Sequence, residues 1–567
     1  MTAIGDTYDV IVAGSGAGGM AAALTCSIEG LSVLVVEKED RVGGSTAISG
    51  GAVWIPNNPL AVAMGIEDSN EAVMTYLGSV LGNALRPDMM HAFLASGPEA
   101  IAYFDRHTQV KFAARAYSPD YYPELPGAGR AGRPIDPLPF DGRELGDDFR
   151  LLKDPLATFT VLGGMMVNVT DVNHLLKVTR SFASWRHGMK LIARYGSDRL
   201  RGWHRGTRLL LGNALAGRLL RSALDRGIAI ATSTPLVGLV RSKDQVTGVT
   251  IRHEGRERTV AARLGVVVAT GGFPWDAARR SVPGVEAGRQ WSMSPPGNAG
   301  DGIRIAEAAG AAFLEAPADH AFWAPVSVWT KADGTQVRFP HLIWDRAKPG
   351  LVAVNGAGRR FVNEGTSYHE FVRAMLRSHE TVPTVPAFLV ADRSFVDRWG
   401  LGLALPGGRP RSHLIRDGYL VEAVSVAELA SRIGVPADAL EASIADMNRA
   451  ARDGVDAGFG KGSSEYNRYY GDPAIAGNPC LGAIAEPPFY AVRVYPGDIG
   501  TASGLLTDPD GRVLDVGGEA IVGLYCCGSD MASIMGGHYP GAGITLGPAL
   551  TFGYRIGRVI AASDGSA

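Results

Sequence analysis

The segment from Tyr8 to Leu24 constrains the fold of this chain more than any other part of the sequence. The apolar, β-branched run Tyr8–Ala13 predicts a strand, and the glycine-rich run Gly14–Gly19 leads from it into a helix-forming stretch. In such a unit the first glycine permits a tight turn, the second lets a pyrophosphate touch the backbone, and the last lets helix and strand pack closely. The sequence therefore predicts an α/β domain of the Rossmann type that binds a dinucleotide.

A second strand and a second polar loop narrow the choice of dinucleotide. The strand Ser32–Val36 ends at Glu37, whose carboxylate is placed to accept hydrogen bonds from ribose hydroxyls. Lys38 follows, and then the Gly/Ser/Thr-rich loop Arg41–Gly51. Nicotinamide enzymes do not need this second loop, whereas flavoproteins do, so we interpret the pair of loops as a flavin site.

Composition excludes several other classes of protein. The 567 residues, 46% of them hydrophobic and 20% charged, are enough for two or more globular domains. A net charge of -2 provides no general attraction to nucleic acid. Cys26, Cys480, Cys526 and Cys527 have neither metal-binding nor disulfide spacing, which is typical of the reducing cytoplasm, and the vicinal pair lies in an apolar strand pattern that predicts burial.

Over essentially its whole length the chain resembles the glutathione-reductase-like FAD architecture, and within it the fumarate reductase and 3-ketosteroid dehydrogenase branch. Three further motifs carry this resemblance: Thr234–Val240, where that architecture passes a strand under the adenine, Leu264–Gly272, its returning strand and turn, and Gly523–Gly528, its final strand against the ribityl chain. Fumarate reductases with covalent FAD have a histidine in the loop that matches 43–51. Because this chain has none there, the resemblance implies non-covalent FAD.

The fingerprint and the resemblance together assign a set of residues to the cofactor. After Gly528, relatives place an acidic or amide side chain against the ribityl hydroxyls, a position for which Ser529 and Asp530 are the candidates. The full set is Gly14, Gly16, Ala17, Gly18, Gly19, Glu37, Lys38, Gly44, Ser45, Thr46, Ser49, Gly50, Gly51, Val237, Thr270, Gly271, Gly272, Gly528, Ser529, Asp530, Thr545 and Leu546.

The positions of these motifs predict the domain organisation. Because they lie near both ends, the FAD-binding domain is expected to be discontinuous, formed by residues 1–320 and 501–567, with a mixed α+β substrate and catalytic domain inserted at 321–500. Within the insert, apolar residues at three- and four-residue spacing predict helices over Val424–Ala451, with a break at Gly434–Pro436.

The run His538–Pro548 is shaped to hold a polarised group. Pro540 fixes φ, while Gly541 and Gly543 allow close approach of the backbone to a ligand, so a tyrosine hydroxyl and an amide N–H can form an oxyanion hole. The alternative is a plain Gly/Pro turn whose tyrosine only packs.

Three tyrosines match the 3-ketosteroid 1-dehydrogenase pattern, and the roles below are those that the resemblance implies. Tyr121, in Ser118–Glu124, supports the catalytic base, and Tyr368, at the end of Phe361–Tyr368, is that base. Tyr539 and the Gly543 amide hold the substrate carbonyl. Ser118 and Trp344 fall at positions expected to line the substrate pocket, and no metal is implied.

These residues suit desaturation beside a ketone. Proton loss next to the carbonyl builds negative charge on its oxygen, which two donors would stabilise, while flavin accepts the hydride. We therefore expect desaturation of a 3-ketosteroid at carbons 1 and 2, or of a similar cyclic ketone. The rivals are a flavin enzyme that acts at another position or reduces an enone, a fumarate-reductase-like dicarboxylate enzyme, and a non-catalytic flavoprotein. The electron acceptor is left open between quinone, oxygen and a protein.

One stretch of the chain is strongly basic. Residues 177–221 contain eleven Lys and Arg against the single acid Asp198, interleaved with Trp185 and Trp203. This pattern indicates either peripheral contact with an anionic membrane or a solvated basic face, which is the commoner case. Nucleic-acid binding is not favoured, because no recognised nucleic-acid module accompanies the charge.

Overall fold

Two large β-sheets organise the protein, whose computed structural model describes residues 4–282, 284–286, 289–342 and 345–564. The first sheet contains strands Thr7–Ala13, Val33–Val36, Ala229–Ala231, Leu236–Ser242, Gln245–His253, Arg256–Val268, Arg512–Leu514 and Ala520–Cys526. The second contains Ala321–Thr330, Gln336–Pro340, Leu351–Val354, Ala387–Asp392, Leu420–Ala423 and Phe489–Thr501.

Shorter strands and sixteen α-helices complete the described part of the chain. The short strands are Val53–Trp54, Phe112–Ala114, Pro134–Pro137, Phe140–Asp141, Thr160–Val161, Met165–Met166, Arg208–Leu209, Phe313–Leu314 and Gly504–Leu505. The helices are Ala17–Ile28, Gly44–Ala47, Pro59–Ala63, Asn70–Leu81, Pro87–His107, Val169–Leu176, Phe182–Leu200, Leu211–Asp225, Asp301–Ala308, Tyr368–His379, Arg393–Trp399, Ser412–Arg416, Val426–Ile433, Ala437–Asp453, Glu465–Tyr470 and Leu546–Asp564.

The central strands of the first sheet are apolar and pair in parallel. Thr7–Ala13 pairs in parallel with Val33–Val36 on one side and with Arg256–Val268 on the other, and the latter pairs in parallel with Ala520–Cys526. Residues 10–13 and 33–36 are buried, as expected for a sheet covered on both faces. Loops that follow the strand ends therefore meet at one edge, which is where ligands bind in such sheets.

The first and last helices pack against each other at that edge, which brings the N-terminal and C-terminal segments of the chain together. In Ala17–Ile28 and Leu546–Asp564 the backbones approach so closely that a Cβ added at Gly553 would lie 2.4 Å from the Gly18 carbonyl oxygen. A side chain there would separate the helices. This contact places the turn that precedes Leu546 beside the glycine-rich loop of the N-terminal strand.

The second sheet is antiparallel, and helices cover it. Phe489–Thr501 is central, pairing with Ala321–Thr330 on one side and with Ala387–Asp392 on the other. Helices Val426–Ile433 and Ala437–Asp453 are separated at Gly434–Pro436, which confirms the predicted break. The domain boundaries at 320 and 500 stay a prediction.

The basic stretch 177–221 contains the helix Phe182–Leu200, most of which is accessible, and the larger part of Leu211–Asp225, which is mostly buried. Asn168 and Asp171 form a capping box at the start of Val169–Leu176, and Phe182–Leu200 packs beside that helix. No helix in the described ranges is long and apolar enough to cross a membrane. Cys526 and Cys527 are fully buried, as their apolar strand predicts.

Candidate active site

The turn that carries Tyr539 is held by the backbone of a neighbouring strand. Gly543 has φ of 97°, and a Cβ there would lie 2.6 Å from the carbonyl of Ala52 and 2.7 Å from the amide nitrogen of Trp54. The Trp54 amide donates to the Gly543 carbonyl at 3.1 Å. Packing against the backbone of Ala52 and Trp54 therefore requires glycine at 543. Gly543 also lines the cavity described below, and its contact with a ligand stays a prediction. The Gly543 N–H donates to no described protein atom.

Backbone hydrogen bonds attach the Tyr121 segment to the same turn. The Tyr121 amide donates to the Pro540 carbonyl at 2.9 Å, and the Tyr76 hydroxyl donates to that oxygen at 2.6 Å. The neighbouring Asp120 is buried and accepts from the guanidinium of Arg133 at 2.6 Å. These contacts set the position of the Tyr121 ring relative to Tyr539.

Tyr368 is the first residue of the helix Tyr368–His379. The helix begins there because the Ser367 hydroxyl caps it, accepting from the Glu370 amide. The Glu364 carboxylate four residues upstream is buried and accepts from Arg360 at 2.9 Å and from the Ala353 amide at 3.0 Å. Glu364 thus fixes the position of the segment that precedes Tyr368.

The three phenols predicted from the sequence lie together. The Tyr121 hydroxyl donates to the Tyr368 hydroxyl at 3.0 Å, and the ring centroids of Tyr368 and Tyr539 are 5.0 Å apart. Tyr121 and Tyr539 stack at 5.5 Å. Burial raises the pKa of Tyr539 to about 12 and raises the pKa values of Tyr121 and Tyr368 well above the usual range.

Two buried residues beside the phenols have no sequence motif that would have identified them. The ring of Tyr466 lies 4.8 Å from that of Tyr121, and its buried hydroxyl has no partner among the described residues. Arg346 is 2% exposed and donates to the backbone carbonyls of four residues, namely His341, Leu342, Glu364 and Thr366. Tyr466 and Arg346 lie close to the phenols only because of the tertiary fold. The tyrosine-rich run 466–470 is a sequence signal that could have pointed to Tyr466.

A cavity of about 920 Å³ connects the phenols with the glycine-rich loops. The predicted residues that line it are Gly14, Gly16, Ala17, Gly18, Glu37, Lys38, Gly44, Ser45, Thr46, Ser49, Gly50, Gly51, Tyr121, Thr270, Gly271, Tyr368, Gly528, Ser529, Tyr539, Gly543, Thr545 and Leu546. The structure therefore brings nearly all of the predicted cofactor and catalytic residues to one space.

The remaining predicted residues that the structure describes do not line the cavity. Asp530 is fully buried, and its carboxylate accepts from the amides of Thr270, Gly271 and Gly272, so it holds that turn and leaves Ser529 to face the cavity. Gly19 packs on the Gly14 carbonyl, and Gly272 packs on Thr501. Val237 is also absent from the wall, where its neighbour Leu236 lies instead. The Ser118 hydroxyl accepts a hydrogen bond from Arg115. Trp344 lies outside the described residues.

The cavity wall suits a dinucleotide. A Cβ at Gly16, Gly44, Gly50 or Gly528 would meet no described atom closer than 3.8 Å, so these backbones face open space that a ligand can fill. The helix Ala17–Ile28 points its N-terminus into the cavity, where the helix dipole favours phosphate. The Glu37 carboxylate at the wall is positioned by the Ser15 amide at 3.0 Å.

Comparison with known proteins agrees with this geometry. The family described as FAD binding domain matches residues 9–546. The chain belongs to this FAD binding domain family. The cofactor of this family member is therefore FAD, while its non-covalent attachment stays a prediction.

Individual relatives of this FAD-binding protein are similar over nearly all of its length. A 4-oxocyclohex-2-ene-1-carboxylate 5-dehydrogenase of Sinomonas cyclohexanicum is 39% identical, covering 98% of this chain and 93% of its own. A 3-oxosteroid 1-dehydrogenase of Mycobacterium tuberculosis is 38% identical, covering 96% and 97%. The crystal structure of the 3-ketosteroid delta1-dehydrogenase of Sterolibacterium denitrificans with 1,4-androstadiene-3,17-dione matches with a TM-score of 0.91 and 39% identity, covering 99% of this chain and 100% of that one. These matches confirm the resemblance to the 3-ketosteroid dehydrogenase branch and the predicted α/β FAD-binding fold.

Proposed function

We propose that this protein catalyses the FAD-dependent desaturation of a 3-ketosteroid at carbons 1 and 2. The observation that carries the proposal is the contact between the Tyr121 and Tyr368 hydroxyls at 3.0 Å, in a cavity that Tyr539 and Gly543 also line. The names and near-complete coverage of the relatives support the same chemistry.

Each phenol has a separate role in this proposal. Tyr368 in its phenolate form removes a proton from the carbon next to the carbonyl and becomes a phenol. The hydrogen bond from Tyr121 stabilises the phenolate from which this step starts. The Tyr539 hydroxyl and the Gly543 N–H donate to the carbonyl oxygen as negative charge grows there. Bound FAD supplies the hydride acceptor.

The cavity wall does not favour a dicarboxylate enzyme. Such an enzyme needs arginines and histidines to hold two carboxylates. Among the described residues that line the cavity, Arg115 is the only arginine, and it is paired with Asp136 at 2.7 Å, while histidine is absent. A smaller cyclic ketone is the stronger alternative, since one relative is named as a dehydrogenase of an oxocyclohexene carboxylate.

Anaerobic titration with 4-androstene-3,17-dione tests the proposal. The visible absorbance of the bound flavin is expected to bleach as the steroid is oxidised, and mass and NMR analysis should locate the new double bond between carbons 1 and 2. Reduction by a cyclohexanone but not by the steroid would support the alternative. A flavin that stays oxidised with every ketone would refute the assignment.

We also infer that the helix Phe182–Leu200 contacts an anionic lipid bilayer. Its exposed apolar residues Phe182, Trp185, Met189 and Ile192 are 75%, 47%, 42% and 38% accessible, and their spacing places them on one helix face. The exposed cations Lys177, Arg180, Arg186 and Lys190 make no ion pair with described residues, so they are free to bind lipid phosphate. Val169 and Thr170 of the adjacent helix line the cavity, so an apolar substrate would have a short path from the membrane.

Co-sedimentation with vesicles tests this contact. Vesicles that contain phosphatidylglycerol should bind the protein more tightly than pure phosphatidylcholine, and the preference should weaken with salt. The double variant Phe182→Ser, Trp185→Ser should bind at least about tenfold more weakly, because it removes two large apolar groups. Val516→Ser, at an exposed valine elsewhere on the surface, serves as the control. Equal sedimentation of all three proteins would contradict the inference.

A further inference from the structure

Three cations line the cavity, and one of them differs from the other two. Lys38 is paired with Asp301, and Arg115 is paired with Asp136 at 2.7 Å. Lys348 makes no ion pair with any described residue, and its Nζ donates only to the Gly471 carbonyl, at 2.8 Å. Asp472 lies close enough to stabilise the charge of Lys348 but is itself paired with Arg398, so Lys348 is the one described cavity cation without a carboxylate partner of its own.

The surroundings of Lys348 make this charge costly for the protein alone. The side chain is half-buried, and burial lowers the pKa of its ammonium group. A partly desolvated ammonium ion has three hydrogens, and here only one carbonyl of the described residues accepts from it. A further hydrogen-bond acceptor would stabilise the ion, and a negatively charged acceptor would do so most strongly. A carboxylate entering the cavity would supply that acceptor and pair with the charge.

Lys348 stands at the end of a row of contacting residues that begins at the phenols. The Tyr466 ring is 4.8 Å from Tyr121 and 5.1 Å from Tyr470, and the next residue, Gly471, accepts from Lys348. Tyr470, Gly471 and Lys348 line the same cavity as Tyr121. A ring system with its carbonyl at Tyr539 could thus direct its far end along this row toward the ammonium group.

We propose that Lys348 binds the carboxylate of a substrate whose ketone is held by Tyr539 and Gly543. The substrate class is a cyclic ketone that carries a carboxylate at the end of the molecule away from the carbonyl. Two sources share this chemistry: a monocyclic oxocyclohexane carboxylate and a 3-ketosteroid with an acidic substituent on its far ring. The inference rests on the proposed function for the location of the ketone.

Matched pairs of acids and esters test the proposal. The probes are 4-oxocyclohexanecarboxylate and its methyl ester, together with 3-oxo-4-androstene-17-carboxylate and its methyl ester. Dissociation constants come from the change in the flavin spectrum on anaerobic mixing, and KM and kcat come from turnover. The protein is expected to prefer the acid over the ester in one pair, and that pair identifies the source.

The variants separate the charge of Lys348 from its structural contact. Lys348→Gln keeps a donor for the Gly471 carbonyl but removes the charge, and should weaken binding of the acid by about 10- to 100-fold while leaving the ester within about twofold. Lys348→Arg should restore a substantial part of the preference. Lys331→Met, at a half-buried lysine outside the cavity wall, should resemble the unmodified protein.

Each outcome bears on a different claim. Equal loss of acid and ester in Lys348→Gln, or no preference for either acid in the unmodified protein, would overturn the role of Lys348 even if 4-androstene-3,17-dione is desaturated normally. If no ketone reduces the flavin, the proposed function fails. The dissociation constants of the acids still decide whether Lys348 binds a carboxylate, because spectral perturbation does not require turnover.

Discussion

Replacement of Tyr368 by phenylalanine is expected to lower the rate of flavin reduction by about 10²- to 10⁴-fold, the usual contribution of a positioned general base. The variant removes one oxygen atom and keeps the ring contacts with Tyr121 at 5.6 Å and with Tyr539 at 5.0 Å. FAD content should therefore be unchanged. Stopped-flow measurement of flavin reduction by a saturating ketone checks the rate, and the absorbance ratio of flavin to protein checks the cofactor.

The pH dependence of the same step separates a base from a packing residue. Burial raises the pKa of Tyr368 well above the usual range of a phenol, so the hydroxyl is protonated near neutral pH. The fraction that can accept a proton increases with pH, so the rate of flavin reduction should rise with pH across the range in which the protein is stable. In Tyr368→Phe that rise should be absent.

A control variant distinguishes loss of the base from general damage. Tyr495→Phe removes a hydroxyl from a ring that stacks on Trp291 at 4.8 Å and does not line the cavity, so it should reduce flavin at the normal rate. Full activity of Tyr368→Phe on both steroid and monocyclic ketones would contradict the role of Tyr368. A pH profile unchanged by the substitution would do the same.

The second large effect is expected for Tyr539→Phe, with a loss of about 10²- to 10³-fold in kcat, comparable to removal of one oxyanion donor elsewhere. Burial raises the pKa of Tyr539 to about 12, so the hydroxyl keeps its proton at neutral pH and remains a donor. The ring is held by Tyr121 at 5.5 Å and by Phe322 at 5.4 Å, so phenylalanine should occupy the same place.

The division of the effect between kcat and KM identifies the role of Tyr539. A donor that strengthens as charge develops on the carbonyl oxygen should mainly change kcat, whereas a group that only binds the ketone should mainly change KM. Steady-state kinetics with a neutral ketosteroid measures both. An increase in KM at constant kcat would exclude transition-state stabilisation, and residual activity is expected because the Gly543 amide still donates.

How far the sequence predicts the site depends on the range of the interactions involved. The glycine fingerprint, Glu37 and the strand from Tyr8 are local signals, since turn geometry and burial on a parallel sheet leave a pattern within a few residues. The loops then meet because parallel strands bring their ends to one edge. This explains why most predicted cofactor residues line one cavity.

The contacts of individual residues are harder to predict. The motif position of Asp530 predicts contact with the cofactor, whereas the structure directs its carboxylate to the amides of 270–272. Gly543 lines the cavity, and packing against Ala52 and Trp54 also requires a glycine there. Whether a carboxylate contacts a ligand or the protein depends on segments hundreds of residues away, which no local pattern records.

The sequence by itself determined that this chain forms a dinucleotide-binding fold with cofactor motifs near both ends, and its resemblance to the family predicts that three distant tyrosines serve one chemistry. Those features follow from local periodicity, turn residues and matched motifs. Only the tertiary structure decided that Tyr121 donates to Tyr368, that Arg346 and Tyr466 lie behind them, and that Lys348 alone among the described cavity cations is unpaired. The physical reason is that hydrogen bonds and charge compensation extend over only a few ångströms, whereas the residues they join are separated by long stretches of chain.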